Sequence, residues 1–112
     1  MPTAIAEKVR YLSDHLSLTQ EEVAQIVGSS PRAVGRWSAG DVRPQKLTKQ
    51  RLLELAFIGE QLASVLRPED ANVWIFSPNA LLDGDTPAAR IHRGDYKTVL
   101  ALIEALADGV VA

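Results

Sequence analysis

Apolar residues in the first part of the chain recur every three or four positions, which is the spacing of amphipathic α-helices. Two such stripes are present: Ile5, Val9, Leu12 and Leu16, followed by Val23, Ile26 and Val27. Thr3 is placed to cap the first helix, which is expected to run from about Ala4 to His15. Each of the two consecutive helices therefore has one apolar face that can contribute to a shared core.

Residues 18–37 read as two short helices joined by a tight turn. Thr19 and Glu22 form a capping box for the first of them, and Gly28 supplies the positive φ that a helix end often needs. Ser30 is placed to cap the second helix, with Pro31 at its first position. Val34 and Trp37 lie three residues apart on its buried side.

This pattern predicts a helix-turn-helix, whose second helix would enter a DNA major groove. The spacing of Ala24, Gly28, Val34 and Trp37, with Thr19-Gln20 in front, resembles the Xre-type, phage-repressor-like family. An ordinary αα-hairpin in a small helical bundle is the alternative.

The longest predicted helix begins at a Thr48 cap and runs to about Leu66. A wide apolar stripe lines it: Leu52, Leu55, Ala56, Gly59, Leu62, Ala63 and Leu66. Such a stripe either bridges the first module to the rest of the chain or forms part of a dimer interface. A glycine inside a helix costs about 1 kcal/mol relative to alanine, so Gly59 suggests close packing against another backbone.

After Pro68 the chain is divided into short helices by proline and glycine. Helices are expected from Pro68, from Ser77-Pro78 to Gly84, from Thr86-Pro87 to Gly94, and from Asp95 to about Asp108, before Gly109. No alternating run of β-branched residues occurs, so the prediction is an all-α protein. We divide it into a helix-turn-helix module with the long bridging helix at residues 1–66 and a small helical domain at residues 67–112.

Charge is distributed unevenly, although the net charge is only −2. Residues 31–51 hold six cations against Asp41 alone: Arg32, Arg36, Arg43, Lys46, Lys49 and Arg51. Such a basic segment beside the second motif helix suits phosphate binding. Cysteine is absent, the N-terminus does not look like a signal peptide and no run is long enough to span a membrane, so we expect a cytoplasmic protein.

The candidate DNA-binding residues lie in and around the two motif helices. They are Gln20, Ser30, Arg32, Ala33, Arg36, Arg43 and Lys46. The expected exposed positions of the second helix are Arg32, Ala33, Gly35 and Arg36. Arginine reads guanine or holds phosphate, whereas alanine and glycine read little, so the motif predicts the fold more strongly than it predicts sequence-specific DNA binding.

The second half carries a more specific pattern. Trp74-Ile75-Phe76-Ser77-Pro78-Asn79, Leu81-Leu82, Gly84 and Thr86-Pro87 are followed by Gly94, Val99, Leu106 and Gly109. This pattern resembles the toxin-binding domain of the Xre/MbcA/ParS-type antitoxins, and the resemblance, strongest to mycobacterial members, extends over nearly the whole chain. It implies a partner that is a RES-domain toxin, which degrades NAD, and an antitoxin that covers the entrance to the toxin's active site.

On that resemblance, the candidate toxin-binding residues are Trp74, Phe76, Asn79, Tyr96, Gly109, Val110, Val111 and Ala112. Aromatic residues in a small helical domain are commonly part of the core, and Asn79 is suited to local hydrogen bonding. The apolar end, residues 110–112, either folds back onto the core or is kept for a cleft in the partner.

No catalytic motif is evident. His15 and His92 are the only histidines, and neither belongs to a set with metal-ligand spacing. We therefore predict no enzymatic activity, no metal site and no cofactor. Two functions remain: an antitoxin that also represses its own operon through operator DNA, acting as a homodimer and in a larger complex with the toxin, or a transcription regulator whose C-terminal half only dimerises.

Overall fold

The computed structural model describes residues 3–41 and 43–109 and contains, in those ranges, seven α-helices and one short 3₁₀ turn. The helices are α1 Ala4–Leu16, α2 Gln20–Val27, α3 Pro31–Ser38, α4 Lys46–Ala63, α5 Pro68–Ile75, α6 Pro87–His92 and α7 Tyr96–Ala107, with the 3₁₀ turn at Ala80–Leu82. No strand occurs in the described ranges, and the all-α prediction is confirmed. The predictions for Val110, Val111 and Ala112 lie outside the described residues.

The first three helices begin at the residues that the local sequence predicts. The Thr3 hydroxyl accepts a hydrogen bond from the Ala6 N–H at 3.0 Å, and the Ser30 hydroxyl accepts one from the Ala33 N–H at 3.1 Å. Thr19 and Glu22 form the reciprocal capping box. Each such cap stabilises its helix by about 1 kcal/mol. Gly28 ends α2 with φ of 77°.

The predicted limits of α4 are wrong at both ends. The helix begins at Lys46, not after Thr48, and its N-cap Gln45 makes no side-chain capping bond. The Gln45 carbonyl already accepts from the Lys49 N–H at 2.8 Å, which places Thr48 inside the first turn. At the other end, the N–H groups of Val65 and Leu66 both return to the Leu62 carbonyl, at 3.0 and 2.9 Å, and close the helix.

The helix predicted to begin at Ser77-Pro78 is also absent. The Ser77 hydroxyl donates back to the Val73 carbonyl of α5, and it accepts no hydrogen bond from the first turn of a following helix. The Asn79 side chain accepts from the Leu81 N–H at 2.9 Å instead and caps the 3₁₀ turn. The next two predicted starts are correct in position: Thr86 caps α6, and Asp95 is the N-cap residue of α7, although its side chain makes no capping hydrogen bond.

One continuous cluster of buried residues joins all seven helices. At its centre, Leu52, Leu55, Ile58 and Leu62 of α4 are fully buried, and each contributes about 2 kcal/mol by leaving water. This apolar stripe of α4 is therefore occupied within the chain. Helix α4 contacts both the N-terminal and the C-terminal helices. The domain boundary at residue 66 stays a prediction.

Gly59 lies where α4 packs on α1. A Cβ atom at this position would lie 2.9 Å from Leu12 Cδ2 and 3.3 Å from Leu16 Cδ1. The close approach expected at Gly59 is present, but its neighbours are leucine side chains and not another backbone. The absence of a side chain at Gly59 lets these two leucines fill the space between the helices.

Candidate functional site

An apolar groove of about 650 Å³ lies between the end of α4, helix α5 and the 3₁₀ turn. Its lining is Leu66, Asp70, Val73, Trp74, Ser77, Pro78, Asn79, Ala80 and Leu81. Val73 is 65% exposed and Leu81 is 59% exposed. Scattered apolar residues are common on protein surfaces, but a contiguous apolar groove marks a candidate binding site.

Asn79 shapes one wall of this groove through local hydrogen bonds. Its N–H donates to the Asp85 carbonyl at 3.0 Å, and its carbonyl accepts from the N–H groups of Leu82 and Gly84 at 2.9 and 3.0 Å. With the side-chain bond to Leu81, these contacts fix the turn that presents Leu81 to solvent. The local role expected for Asn79 is thus present at the groove itself.

Arg90 of α6 holds the same loop from its other side. Its Nε donates to Asp85 Oδ2 at 2.8 Å, its Nη1 donates to Asp95 Oδ2 at 3.1 Å, and its Nη2 donates to the Leu82 carbonyl at 2.9 Å. Arg93 adds a second contact to Asp85 at 2.7 Å. This cluster could not be predicted from the sequence, because a five-residue spacing of charges is not characteristic of any motif.

The cluster lowers the pKa of two carboxyl groups. Hydrogen bonds from Arg90 and then Arg93 hold the pKa of Asp85 below its ordinary value. The hydroxyl of Thr98, which donates to Asp95 Oδ1 at 2.7 Å, is the main cause of the lowered pKa of Asp95, followed by Arg90. Both carboxylates thus stay ionised to a lower pH than an unperturbed aspartate, which keeps the loop clamped.

The predicted toxin-binding residues do not all meet at the groove. Trp74 and Asn79 line it, whereas Phe76 lines a separate depression with Ile26, Ala88 and His92, between α2 and α6. Tyr96 begins α7 and is half-buried against the core. Gly109 is exposed after the end of α7 with φ of 86°.

A cationic surface is formed by α3 and the segment that follows it. Arg32 and Arg36 are exposed, as predicted, and so are Arg43 and Lys46. Among the described residues, no ion pair joins any of these side chains to a carboxylate. Their charges are therefore available to a ligand without the loss of an internal contact.

Two of the expected exposures on α3 are wrong. Ala33 is half-buried, because it packs against the core next to the buried Val34. Gly35 is covered by the side chain of Gln20, so that a Cβ there would lie 3.2 Å from Gln20 Oε1. Gln20 thus lies directly beside α3, while the Ser30 hydroxyl is engaged as a helix cap.

Polar contacts join the N-terminal helices to the C-terminal segment. The Asn72 amide donates to the Ser17 carbonyl at 3.1 Å and to Glu22 Oε1 at 3.2 Å. His92 Nδ1 lies 3.0 Å from the Ile26 carbonyl, and Arg51 Nε donates to the His92 carbonyl at 3.2 Å. His92 is exposed at the end of α6, and its contact with Ile26 of α2 could not be found by local sequence analysis.

Residues 3–41 and 43–109 hold no group of three His, Asp or Glu side chains arranged to bind a metal ion. In the same ranges, no helix combines the length and the apolar character needed to cross a membrane.

These observations describe a helical protein with an apolar groove in its C-terminal half and a cationic surface in its N-terminal half. No protein-family model matches the chain. It is 53% identical over 106 residues to the mycobacterial cidal antitoxin MbcA of Mycobacterium tuberculosis and of Mycobacterium bovis, covering 95% of this chain and 94% of the relative. It is 34% identical over 92 residues to a probable mycobacterial cidal antitoxin of M. tuberculosis, covering 82% and 78% of the two chains.

Among solved structures, the chain matches one chain of the M. tuberculosis MbcT–MbcA toxin–antitoxin complex. The TM-score is 0.88 at 51% sequence identity, with 98% of this chain and 99% of the other covered. The chain belongs to the mycobacterial cidal antitoxin family. The resemblance to antitoxins found in the sequence is thereby confirmed.

Proposed function

We propose that this chain is an antitoxin that binds a RES-domain, NAD-degrading toxin and neutralises it by covering the toxin's active site, without enzymatic activity of its own. The observation that carries the proposal is the identity of 53% to MbcA, whose complex with the toxin MbcT has been solved. A regulator whose C-terminal half only dimerises would not need the groove described above.

The groove is suited to a protein partner because its apolar side chains stand on a rigid frame. Val73 and Leu81 project to solvent, and Trp74 contributes an aromatic residue of the kind that often anchors interfaces. Asn79 and Arg90 hold the loop with hydrogen bonds that exist before any partner arrives. Binding to a preformed surface loses less conformational entropy than binding to a mobile one.

The test is neutralisation of a tagged RES-domain toxin by variants of the groove. We expect Val73→Lys and Leu81→Lys each to weaken toxin binding by about tenfold or more, because a charge would be buried at the interface. Co-purification and the rate of NAD consumption are measured on the same mixtures. Leu47→Lys is the matched control, since Leu47 of α4 is also 65% exposed but lies outside the groove.

If the parent chain neutralised the toxin and both groove variants did so equally well, the groove would not be the toxin-binding surface. If the parent chain failed to bind any RES-domain toxin, the proposed function itself would be wrong. The melting temperature of each variant distinguishes a lost interface from a lost fold.

We also propose that the chain binds operator DNA and thereby represses the antitoxin's own operon. The supporting observation is the set of exposed cations at Arg32, Arg36, Arg43 and Lys46, which have no carboxylate partner among the described residues. In this proposal α3 enters the major groove, and Gln20 approaches the phosphate backbone beside it. Binding to a palindromic site requires a homodimer.

A further inference from the structure

The apolar groove beside α5 contains a single charged side chain. Of the described residues that line the groove, only Asp70 is charged, and the other eight are neutral. Val73 and Trp74 follow Asp70 by three and four residues, so the three side chains share one face of α5. A carboxylate at the edge of an apolar binding surface favours a partner that places a positive charge at that point.

The charge of Asp70 is only partly compensated within the chain. Arg67 Nε lies 3.5 Å from Asp70 Oδ2 and 3.9 Å from Glu69 Oε1, so one guanidinium group serves two carboxylates. One negative charge of these three residues therefore remains without a counterpart. The Arg67 side chain is 78% exposed, and because such surface ion pairs contribute little to stability, a cation of a partner can replace Arg67 at Asp70.

The aromatic residue beside Asp70 favours arginine over lysine as that cation. Trp74 lies four residues after Asp70, and both side chains line the groove. A guanidinium group is planar and weakly hydrated, so it can pair with a carboxylate and pack its face on an aromatic ring at the same time. The ammonium group of lysine is a compact, strongly hydrated charge and is less suited to an apolar surface.

We propose that the groove receives an arginine side chain of the toxin, which pairs with Asp70 and packs along Trp74. Val73 and Leu81 then contact the apolar residues that surround this arginine. The inference rests on the proposed function, since it names the chemistry of the toxin surface that the groove binds. Asp70 thereby determines specificity: a toxin without a cation at this point would leave the carboxylate desolvated and unpaired, and would bind poorly.

The first test compares two carboxylates of the same helix turn. The dissociation constant of the full chain and a tagged RES-domain toxin is measured at about 0.05 M and about 0.5 M salt. We expect Asp70→Asn to weaken binding about tenfold at the lower salt concentration and to reduce the salt dependence. Glu69→Gln is the matched control and should change neither quantity: it also removes a carboxylate from the first turn of α5 and from Arg67, but Glu69 does not line the groove. Equal dissociation constants for the two variants would overturn the inference.

A charge exchange identifies the arginine. Asp70→Arg should weaken binding more than Asp70→Asn does, because it places two cations opposite each other. The exposed arginines of the toxin are then replaced by aspartate one at a time, and one of these toxin variants should bind the Asp70→Arg chain more tightly than it binds the parent chain. If the parent binds the toxin and Val73→Lys weakens the complex, but no toxin variant shows this preference, the inference is wrong and the proposed function stands. A parent that binds no RES-domain toxin would remove the proposed function as well.

Discussion

The two halves of this molecule use arginine in different ways. In the C-terminal segment Arg67, Arg90 and Arg93 all form ion pairs with carboxylates of the same segment. Around α3 the exposed Arg32, Arg36 and Arg43 form none with any described residue. The same side chain thus builds a scaffold in one half and remains available to a ligand in the other.

This difference decides what each surface is able to bind. A guanidinium group already held by two carboxylates is poorly suited to a phosphate, since binding would break existing charge-assisted hydrogen bonds. Arg90 instead contributes by fixing the loop beside the apolar groove. Net charge alone, which is close to zero for the chain, would not reveal this division.

The largest expected effect is a loss of DNA binding by the cationic surface. Replacing Arg32 and Arg36 by alanine should weaken operator binding by about 10- to 100-fold and reduce the salt slope by about two units, one for each lost phosphate contact. Titrations at several salt concentrations measure both quantities. Arg67→Ala is the control, because Arg67 is also exposed but is paired with Glu69 and Asp70. An unchanged slope in the double variant would remove α3 from the proposed DNA interface.

The next prediction concerns stability and tests whether the two halves of the molecule unfold together. Gly59→Val should destabilise the protein by about 1–3 kcal/mol, because its side chain would overlap Leu12 and Leu16. Trp37 reports on the first half and Trp74 on the second, so Trp→Phe variants give one fluorescence probe for each. Since one core joins all helices, we expect both probes to show the same denaturant midpoint, shifted equally. Two separate midpoints would mean that the halves unfold independently.

The smallest expected effect concerns the Arg90 cluster and pH. Because the folded-state pKa of Asp85 lies below its ordinary value of 3.8, the carboxylate stabilises the fold at neutral pH. This contribution is lost as pH falls below 3.8 and through the folded-state pKa. Asp85→Asn should therefore lower the melting temperature at neutral pH and differ less from the parent in acid.

Asp83→Asn is the matched control for that measurement. Asp83 is two residues away, exposed and in the left-handed region with φ of 56°, which asparagine tolerates well. We expect the melting temperature of this control to follow that of the parent at every pH. A gap between Asp85→Asn and the parent that did not narrow in acid would argue against an ionic role for the Asp85 carboxylate.

Those parts of the fold that depend on neighbours within three residues could be predicted from the sequence. The caps at Thr3, Thr19, Ser30 and Thr86 are of this kind, since the hydroxyl and its N–H partner are close in the chain. Ser77 has the same side chain, yet its hydroxyl bonds backward to α5. A serine before a proline is compatible with either choice, and only the path of the chain decides between them.

The candidate site was predicted only in part, for a related reason. Trp74 and Asn79 were identified through the family resemblance, and both line the groove. Val73 and Leu81 were missed because their exposure depends on how α5 and the 3₁₀ turn meet. The contact of His92 with Ile26 joins residues 66 positions apart, which no local pattern encodes.

The Glu22 carboxylate matters for the construction of chimeric antitoxins. Glu22 Oε1 accepts from the Thr19 N–H in the α2 cap and from the Asn72 amide of α5. A chimera that joins the first 66 residues of one antitoxin to the remainder of another therefore takes residues 22 and 72, which form this hydrogen bond, from different proteins. Hybrid antitoxins should retain a matched pair at these two positions, even when the transferred segment carries every groove residue except Leu66.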